Sequence, residues 1–140
     1  MVVIDVDNFK HINDNYGHDV GDIVLQNIAQ TVLSCVRKTD AVIRYGGDEF
    51  VIIFFNIPPD IFGKKLERIR YSVDSLIIDD RPELHMSVSI GGVYGTGTTK
   101  KLFKIADNMM YQSKSTKNRV TICFLDGHKT AQTISDTEEM

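Results

Sequence analysis

Two carboxylates, Asp5 and Asp7, lie at the end of the first apolar strand of the sequence, which is predicted over residues 1–4. Because they are two residues apart, they point to the same face of an extended chain. Bare carboxylates are costly to bury, so a bound cation is the simplest partner for both. The alternative is that they cap the turn that follows and take no part in chemistry.

A second pair of carboxylates, Asp48 and Glu49, directly follows two glycines at the joint between two apolar segments. The segments, 41–45 and 49–55, are predicted strands, and the glycines favour a tight hairpin between them. A neighbouring strand would bring Asp48 beside Asp5. Several hard oxygens at one sheet edge suit Mg²⁺, which prefers one or two carboxylates together with substrate phosphates.

Two further residue pairs allow both a structural and a functional interpretation. Gly46 and Gly47 form either an ordinary type I′ turn or a backbone that a ligand can approach closely. Asn13 and Asp22 can bind the edge of a guanine base, because a carboxylate accepts from ring and exocyclic N–H groups. The alternative for Asn13 is that it caps a helical turn.

The elements that position these residues alternate along the chain. The apolar periodicity predicts helices from Asp19 to about residue 37, over roughly 60–78 and over 100–115, and further strands over 84–94 and 119–124. Residues 9–14 predict a short turn or a single helical turn. The order β-α-β-β-α-β-α-β, with one tight hairpin, predicts an α+β domain with a mixed central sheet and flanking helices.

Composition sets limits on the class of protein. The chain has 140 residues, a formal net charge of −3 and a pI of about 5.7, so neither nucleic acid nor an anionic membrane is an expected partner. Cys35 and Cys123 lack metal-ligand spacing and are expected to be reduced thiols in the cytoplasm. The chain begins directly in a strand, which predicts a piece of a longer protein. Residues 126–140 are polar and are expected to form a disordered tail.

Four segments resemble, in the same order, blocks of the GGDEF family of diguanylate cyclases. They are IDVDNFKHINDNYGHDVGD (4–22), RYGGDEF (44–50), SVSIGG (87–92) and ADNMMYQSK (106–114). The first two are highly specific and the last two are supporting. The resemblance implies a palm-polymerase-like domain, related to nucleotidyl cyclases, over residues 1–125. Family members also have an N-terminal helix and an Asp-x-Leu-Thr-Gly-Leu segment, which the sequence does not contain.

The resemblance implies condensation of two GTP molecules into cyclic di-GMP with release of pyrophosphate. It implies that Asp5, the Val6 carbonyl and Asp48 bind Mg²⁺, with Mn²⁺ as an alternative ion. Asp48 would also help to activate the 3′-hydroxyl group, and Glu49 belongs to the same motif. The residues that it implies for the nucleotide are Asn13 and Asp22 at guanine, Asn8, Phe9, Lys10, Lys114 and Lys117 at the triphosphate, and Gly46 and Gly47 beneath it.

The resemblance also implies a site for feedback inhibition by the product. Arg37 and Asp40 stand as Arg-x-x-Asp, with five residues between Asp40 and Gly46, which is the spacing of the family. Arg68 stands where the family often supplies a second arginine. Planar guanidinium groups suit both phosphate and guanine. Catalysis would need a homodimer, because one bound GTP must meet another, and a sensory domain would precede this one in the parent protein.

Two alternatives to an active cyclase remain at this point. One is a catalytically silent domain that binds GTP or cyclic di-GMP and passes the signal on. Degenerate members of the family usually lose the motif itself, whereas Asp5, Asp48 and Glu49 are present here. The other is a different nucleotide cyclase or a relative of the polymerase palm, which the pair Asn13 and Asp22 disfavours.

Overall fold

The structure is a computed structural model that describes residues 1–125 and the short strand at 132–133. Its strands are β1 (Val2–Val6), β2 (Ala41–Arg44), β3 (Glu49–Ile53), β4 (Val88–Tyr94), β5 (Arg119–Phe124) and β6 (Gln132–Thr133); its helices are α1 (Phe9–Tyr16), α2 (His18–Ser34), α3 (Pro59–Asp74) and α4 (Thr99–Lys114). Apart from β6, the predicted tail at 126–140 lies outside the described residues. No helix in the described part is long and apolar enough to cross a membrane.

The strands form one mixed sheet in the order β2-β3-β1-β4-β5-β6. The first strand lies in the interior of the sheet and is antiparallel to both of its neighbours, β3 and β4. The pair β4–β5 is parallel and is connected through α4, while β2–β3 is the predicted hairpin. This arrangement confirms the predicted α+β class with a mixed central sheet.

Alternation along β1 divides the core between the two faces of the sheet. Val2, Ile4 and Val6 are fully or almost fully buried in the larger cluster, which includes apolar residues of α1, α2 and α3. Val3 points the other way, into a smaller cluster with residues of α4. Burying a Val or Ile side chain contributes about 1.5–3 kcal/mol, so both faces hold β1 in place. Asp5 shares the α4 face with Val3.

Close packing of α4 on β4 depends on Gly91. A Cβ atom at this position would lie 2.0 Å from the backbone nitrogen of Met110, so a larger residue would push the helix away. The C-terminal end of the helix is fixed by Ser113, whose hydroxyl donates to the Ile90 carbonyl oxygen (2.8 Å) and lies 2.7 Å from the Thr121 hydroxyl. The helix therefore presents its last residue, Lys114, to the α4 face of β1.

Several boundaries differ from the sequence predictions. The predicted turn at 9–14 is a two-turn helix, α1. The helix predicted over 60–78 ends at Asp74, because the chain tightens into a turn there (Leu76 N–H to Val73 carbonyl, 3.1 Å), and Ile77 is 70% exposed. Strand β4 begins at Val88 rather than 84, because its strand pairing with β1 starts where Val88 lies opposite Val6.

Candidate active site

The two pairs of carboxylates meet where β1 and β3 lie side by side. Asp5 is opposite Glu49 in the antiparallel register, and the Val6 N–H donates to the Asp48 carbonyl oxygen (3.1 Å). The Asp48 carboxyl group lies close enough to that of Asp5 for their negative charges to repel each other. The sheet therefore brings together the residues that the sequence predicts for a metal site.

Asp5 is only 7% exposed, and its two carboxylate oxygens have different surroundings. Oδ2 forms an ion pair with the Nζ atom of Lys114, which reaches across from the end of α4. Oδ1 is buried and has no hydrogen-bond partner among the residues that the structure describes. An unsatisfied buried carboxylate oxygen costs free energy, so this position would be stabilised by a further cation or donor.

The pKa values of the acidic residues show the same shortage of positive charge. Burial raises the pKa of Asp5, and Asp48 raises it further, although the ion pair with Lys114 partly offsets both effects. Burial also raises the pKa of Glu49, together with the charges of Asp5, Asp107 and Asp48. Like charges at close range disfavour each other's ionised forms, and a divalent cation would reverse that effect.

The chemistry of this donor set fits Mg²⁺. Asp5 and Asp48 would supply hard oxygen ligands, and Val6, whose carbonyl group is the third predicted ligand, lies between Asp5 and the buried Asp7. Within the described residues, no three His, Cys, Asp or Glu side chains surround a common point where a metal could bind. The remaining ligands would therefore be phosphate and water oxygens, an arrangement that is usual for Mg²⁺ and unsuited to a structural metal site.

The loop between β2 and β3 is not a type I′ turn. The Tyr45 N–H donates to the Glu49 carbonyl oxygen (2.8 Å), which leaves three residues between them, and only Gly46 among these has a positive φ, 86°. A type I′ turn would need positive φ at two central residues. The Arg44 guanidinium donates to the Gly47 carbonyl oxygen (2.7 Å) and steadies the loop. A Cβ at either glycine would meet no atom within 4 Å, so a ligand could approach both.

The residues predicted to bind guanine lie on α1 and at the start of α2. Asp22 is exposed and lines an open pocket of about 350 Å³, whose other lining residues are Leu25, Gln26, Ala29, Arg44 and Phe50. Asn13 lies beside Gly21, the neighbour of Asp22: a Cβ at Gly21 would be 1.8 Å from the Asn13 Oδ1 atom. That oxygen is buried and has no hydrogen-bond partner. Arg44 at this pocket was not predicted.

The residues predicted at the triphosphate approach one another from two turns. Asn8 precedes α1 in the left-handed region (φ 58°), and Phe9 and Lys10 form the first turn of the helix, with Lys10 exposed. Lys117 lies in the turn between α4 and β5, and its Nζ atom donates to Asn8 Oδ1 (2.7 Å). The structure therefore brings Lys117 to the start of α1, whereas Lys114 is paired with Asp5.

Arg37 and Asp40 form a closed corner after α2. The guanidinium group donates to both carboxylate oxygens, at 3.1 and 2.9 Å, and the Arg37 N–H adds a bond of 2.8 Å. Arg37 also donates to the Phe55 carbonyl oxygen, and the Phe55 N–H donates to Asp40 (3.3 Å). Burial alone would raise the pKa of Asp40, but these hydrogen bonds together lower it below its usual value. Arg68 is exposed on α3; no hydrogen bond or ion pair within the described residues joins it to this corner.

The sequence predicts a cation beside Asp7. In the structure the Asp7 carboxylate instead accepts hydrogen bonds from three other residues. The hydroxyl groups of Ser87 and Ser89 donate to its two oxygens (2.6 Å each), and the Asn118 N–H donates to Oδ2 (2.8 Å). None of these three partners was predicted as a site residue. Alternating serines on a strand opposite an aspartate are a signal that could have indicated the two hydroxyl bonds.

Comparison with known proteins places this geometry in a family. Residues 1–119 match the family model described as the diguanylate cyclase GGDEF domain. The chain is 41% identical over 121 residues to diguanylate cyclase DgcM of Escherichia coli (strain K12), covering 86% of this chain and 30% of that protein. It is 39% identical over 127 residues to diguanylate cyclase A of Treponema denticola, covering 87% and 34%. The chain thus spans about a third of the length of these curated relatives.

Solved structures give the same result. The GGDEF domain of DgcB from Caulobacter crescentus, crystallised with c-di-GMP, superposes with a TM-score of 0.80 at 32% identity, covering 86% of this chain and 75% of that one. The active GGEEF domain of a diguanylate cyclase from Vibrio cholerae superposes with a TM-score of 0.79 at 30% identity, covering 86% and 80%. Sequence, fold and the arrangement of acidic residues agree, and the chain belongs to the GGDEF domain family of diguanylate cyclases.

Proposed function

We propose that this domain condenses two molecules of GTP into cyclic di-GMP and releases two molecules of pyrophosphate. The observation that carries the proposal is the buried, unpartnered Oδ1 atom of Asp5 beside the Asp48 carboxyl group, at a sheet edge flanked by Lys114. This is a site with excess negative charge, next to two turns that could hold a nucleotide. Mg²⁺ would bind Asp5, the Val6 carbonyl and Asp48, and when bound it would neutralise charge on the triphosphate.

The proposed reaction is an in-line phosphoryl transfer. The 3′-hydroxyl group of one GTP attacks the α-phosphorus of the other, pyrophosphate leaves, and a second transfer closes the ring. Asp48 accepts the proton of the attacking hydroxyl, and Glu49, whose carboxyl group lies next to it, adds to the negative field that favours this transfer. Positioning and charge neutralisation contribute most of the rate enhancement in such reactions.

Binding of the triphosphate is assigned to the two turns. The backbone N–H groups at Asn8 and Phe9 lie at the N-terminal end of α1, where unpaired N–H groups and the helix dipole favour anions. Lys10 and Lys117 add positive charge from either side of this turn. Lys114 would exchange its contact with Asp5 for one with phosphate as the metal binds.

Recognition of the base is assigned to Asn13 and Asp22. The unpartnered Oδ1 atom of Asn13 is an acceptor. The exposed carboxylate of Asp22 is a second acceptor and lines a pocket large enough for a purine, and Asn13 lies beside its neighbour Gly21. Guanine presents N1–H and N2–H₂ donors on its Watson–Crick edge, where adenine presents an acceptor at N1. Two acceptors therefore select guanine over adenine.

Product inhibition is assigned to Arg37, Asp40 and Arg68. Arg37 is rigidly held through Nε and Nη2, so Nη1 remains to donate to a phosphate or a guanine of cyclic di-GMP. The similar GGDEF domain of DgcB was crystallised with c-di-GMP, which supports a product-binding capacity in this fold. Arg68, exposed on α3, would contribute a second guanidinium group.

Catalysis would require two domains, since each holds one GTP. We propose a homodimer in which the two nucleotide sites face each other, brought together by a sensory domain elsewhere in the parent protein, in the cytoplasm where GTP is abundant. The greater length of the curated relatives, of which this chain spans about a third, supports a regulatory region outside it.

Incubation with GTP and Mg²⁺, with the product identified by mass, tests the proposal. The expected product is cyclic di-GMP, at a rate that rises more steeply than linearly with protein concentration, because two domains must meet. The full parent protein should be tested beside this chain. Binding of GTP without any product, from the parent protein as well, would contradict the proposal and favour a domain that only binds nucleotide.

A further inference from the structure

The turn between α4 and β5 contains two residues in the left-handed region, Lys117 (φ 62°) and Asn118 (φ 49°). Asparagine tolerates this conformation better than most residues, and here its side chain is also fully used. Its Oδ1 atom accepts from Arg70 Nη1 (2.9 Å), and its Nδ2 atom donates to Asp74 Oδ1 (3.1 Å), so the turn is anchored to α3. The backbone of the turn is thus held from one side.

The other side of this turn is held by Asp7. The Asn118 N–H donates to Asp7 Oδ2, and the two serine hydroxyls of β4 complete the coordination of a carboxylate that is only 2% exposed. The Asp7 N–H also donates to the Ser87 carbonyl oxygen (2.9 Å). Hydrogen bonds that a carboxylate accepts are about twice as strong as neutral ones, so Asp7 holds this turn firmly.

We propose that these contacts position the triphosphate site. We call Asp7, Asn118 and their hydrogen bonds the Asp7–Asn118 clamp. Asp7 directly precedes Asn8 and Phe9, and Asn118 directly follows Lys117, so the clamp sets the distance between the anion-binding end of α1 and its facing lysine. Asp7 and Asn118 are positioning residues that need not touch the nucleotide. The inference rests on the proposed function, because it presumes that phosphates bind between these turns.

The contact between Lys117 and Asn8 shows how close the two turns lie. Once the clamp is removed, the start of α1 keeps this contact, the packing of Phe9 on the core and its own backbone bonds, beginning with Ile12 N–H to the Asn8 carbonyl oxygen (3.0 Å), but it loses its anchor to β4 and α3. The expected consequence is weaker binding of the phosphates alone. The residues proposed to bind guanine lie further along the chain, at Asn13 on α1 and Asp22 on α2. The loss should therefore be larger for GTP than for GMP.

The test compares GTP with GMP in Asn118→Ala and Asn118→Gly, with Thr116→Ala as the matched control. Glycine tolerates the left-handed backbone and removes only the side-chain bonds to α3. Alanine removes the same bonds and also disfavours the left-handed backbone. Thr116 lies in the same turn and bonds only to the Ser113 carbonyl oxygen (3.3 Å). Both Asn118 variants should bind GTP about tenfold more weakly and GMP less than twofold more weakly, while the control stays at the wild-type affinity. Equal losses for GTP and GMP, or none in a folded variant, would overturn the proposal.

Amide hydrogen exchange at residues 8–10 gives a second readout that needs no nucleotide. Exchange should be faster in Asn118→Ala and in Asp7→Asn than in wild type and Thr116→Ala, because the clamp no longer holds the start of α1. Unchanged exchange in both variants would overturn the clamp itself. Faster exchange in a protein whose wild type binds no GTP would retain the clamp and contradict the proposed function instead.

Discussion

Asp5 and Asp40 both have side chains with little access to solvent, but the groups around Asp5 are mainly negative and the group around Asp40 is positive. The Asp5 side chain shares its corner with Asp48 and Glu49 and has one cationic partner, Lys114, so burial and repulsion raise its pKa. The Asp40 side chain is fully buried under Arg37 and accepts three bonds from that residue and one from Phe55, so its pKa is lowered.

The difference indicates what each region can bind. The Asp5 corner is short of positive charge, and a cation that enters it gains an unpartnered oxygen and relieves repulsion. The Asp40 corner has no such deficit, so it offers a fixed guanidinium group to an outside anion rather than a place for a cation. The Asp5 corner therefore lacks positive charge that a ligand would supply, whereas Arg37 already balances the charge of Asp40.

The largest expected effect comes from Asp48→Asn. Turnover should fall by about 100-fold or more, because the proposed metal ligand and the proposed proton acceptor are the same side chain and both are lost. The same change should raise the stability of the metal-free protein by roughly 0.5 kcal/mol, because it removes a negative charge that repels Asp5 and Glu49. Product formation and denaturant unfolding in the presence of a chelator measure the two effects.

A stability gain would support the interpretation that repulsion between carboxylates destabilises the metal-free Asp5 corner and that a bound cation would relieve this repulsion. Asp107→Asn is the matched control, since Asp107 also faces Glu49 but is not proposed to bind metal. It should give a smaller gain in stability with turnover retained. If Asp48→Asn is less stable than wild type in chelator, the Asp5 corner is not destabilised by repulsion, and the proposed difference between the two regions is wrong.

The next effect concerns Arg37→Ala. Inhibition by cyclic di-GMP should weaken by about tenfold or more, because the contact from Nη1 of the guanidinium group is lost, while initial turnover stays equal or rises. The thermal midpoint should also fall, because Asp40 would lose the hydrogen bonds that the Arg37 guanidinium group donates to it. Rates measured with and without added product separate the two effects, and Lys38→Ala, an exposed neighbour, is the control. Unchanged inhibition in Arg37→Ala would remove this corner from the feedback mechanism.

The pH dependence of stability should differ between the two regions. Asp5 and Glu49 have raised pKa values, so the folded protein gains stability as the pH falls from 7 towards their titration and loses it again as the pH rises. Asp40 has a lowered pKa, so its contribution persists until the pH falls below the ordinary value of 3.8. Chelated wild type should therefore be more stable at pH 5.5 than at pH 7 relative to Asp48→Asn, whereas the deficit of Arg37→Ala should be equal at both. Denaturant unfolding at the two pH values measures this.

The smallest effects separate the two glycines of the β2–β3 loop. Gly46→Ala should destabilise by about 1 kcal/mol, because φ is positive there, whereas Gly47→Ala should be nearly neutral, because its φ is ordinary and no atom lies nearby. If GTP lies against this loop, Gly47→Ala should still weaken its binding. Unfolding and nucleotide titration of both variants measure this, and equal stability of the two would contradict the loop geometry.

Local chemistry made much of this predictable. The glycines and flanking apolar runs identify the hairpin, and the placement of carboxylates after two strands leads to the meeting of Asp5 with Asp48. The separate environment of Asp7 was not predictable, because its partners come from residues 80 and more positions away. The ion pair of Lys114 depends on how closely α4 approaches Gly91, a tertiary contact that no local pattern contains. Arg44 was not predictable, because a single arginine at the end of a strand forms no distinctive pattern.

The interior position of β1 has a consequence for synthesis on the ribosome. Of the described strands, β1 is made before its two neighbours in the sheet, residues 49–53 and 88–94, so both edges of an apolar strand stay unpaired until these segments have been made. The helix that brings Lys114 to Asp5 is made later still. A nascent chain that stalls before β4 would expose a strand edge prone to aggregation, and the Asp5 corner would be complete only after α4 has been made.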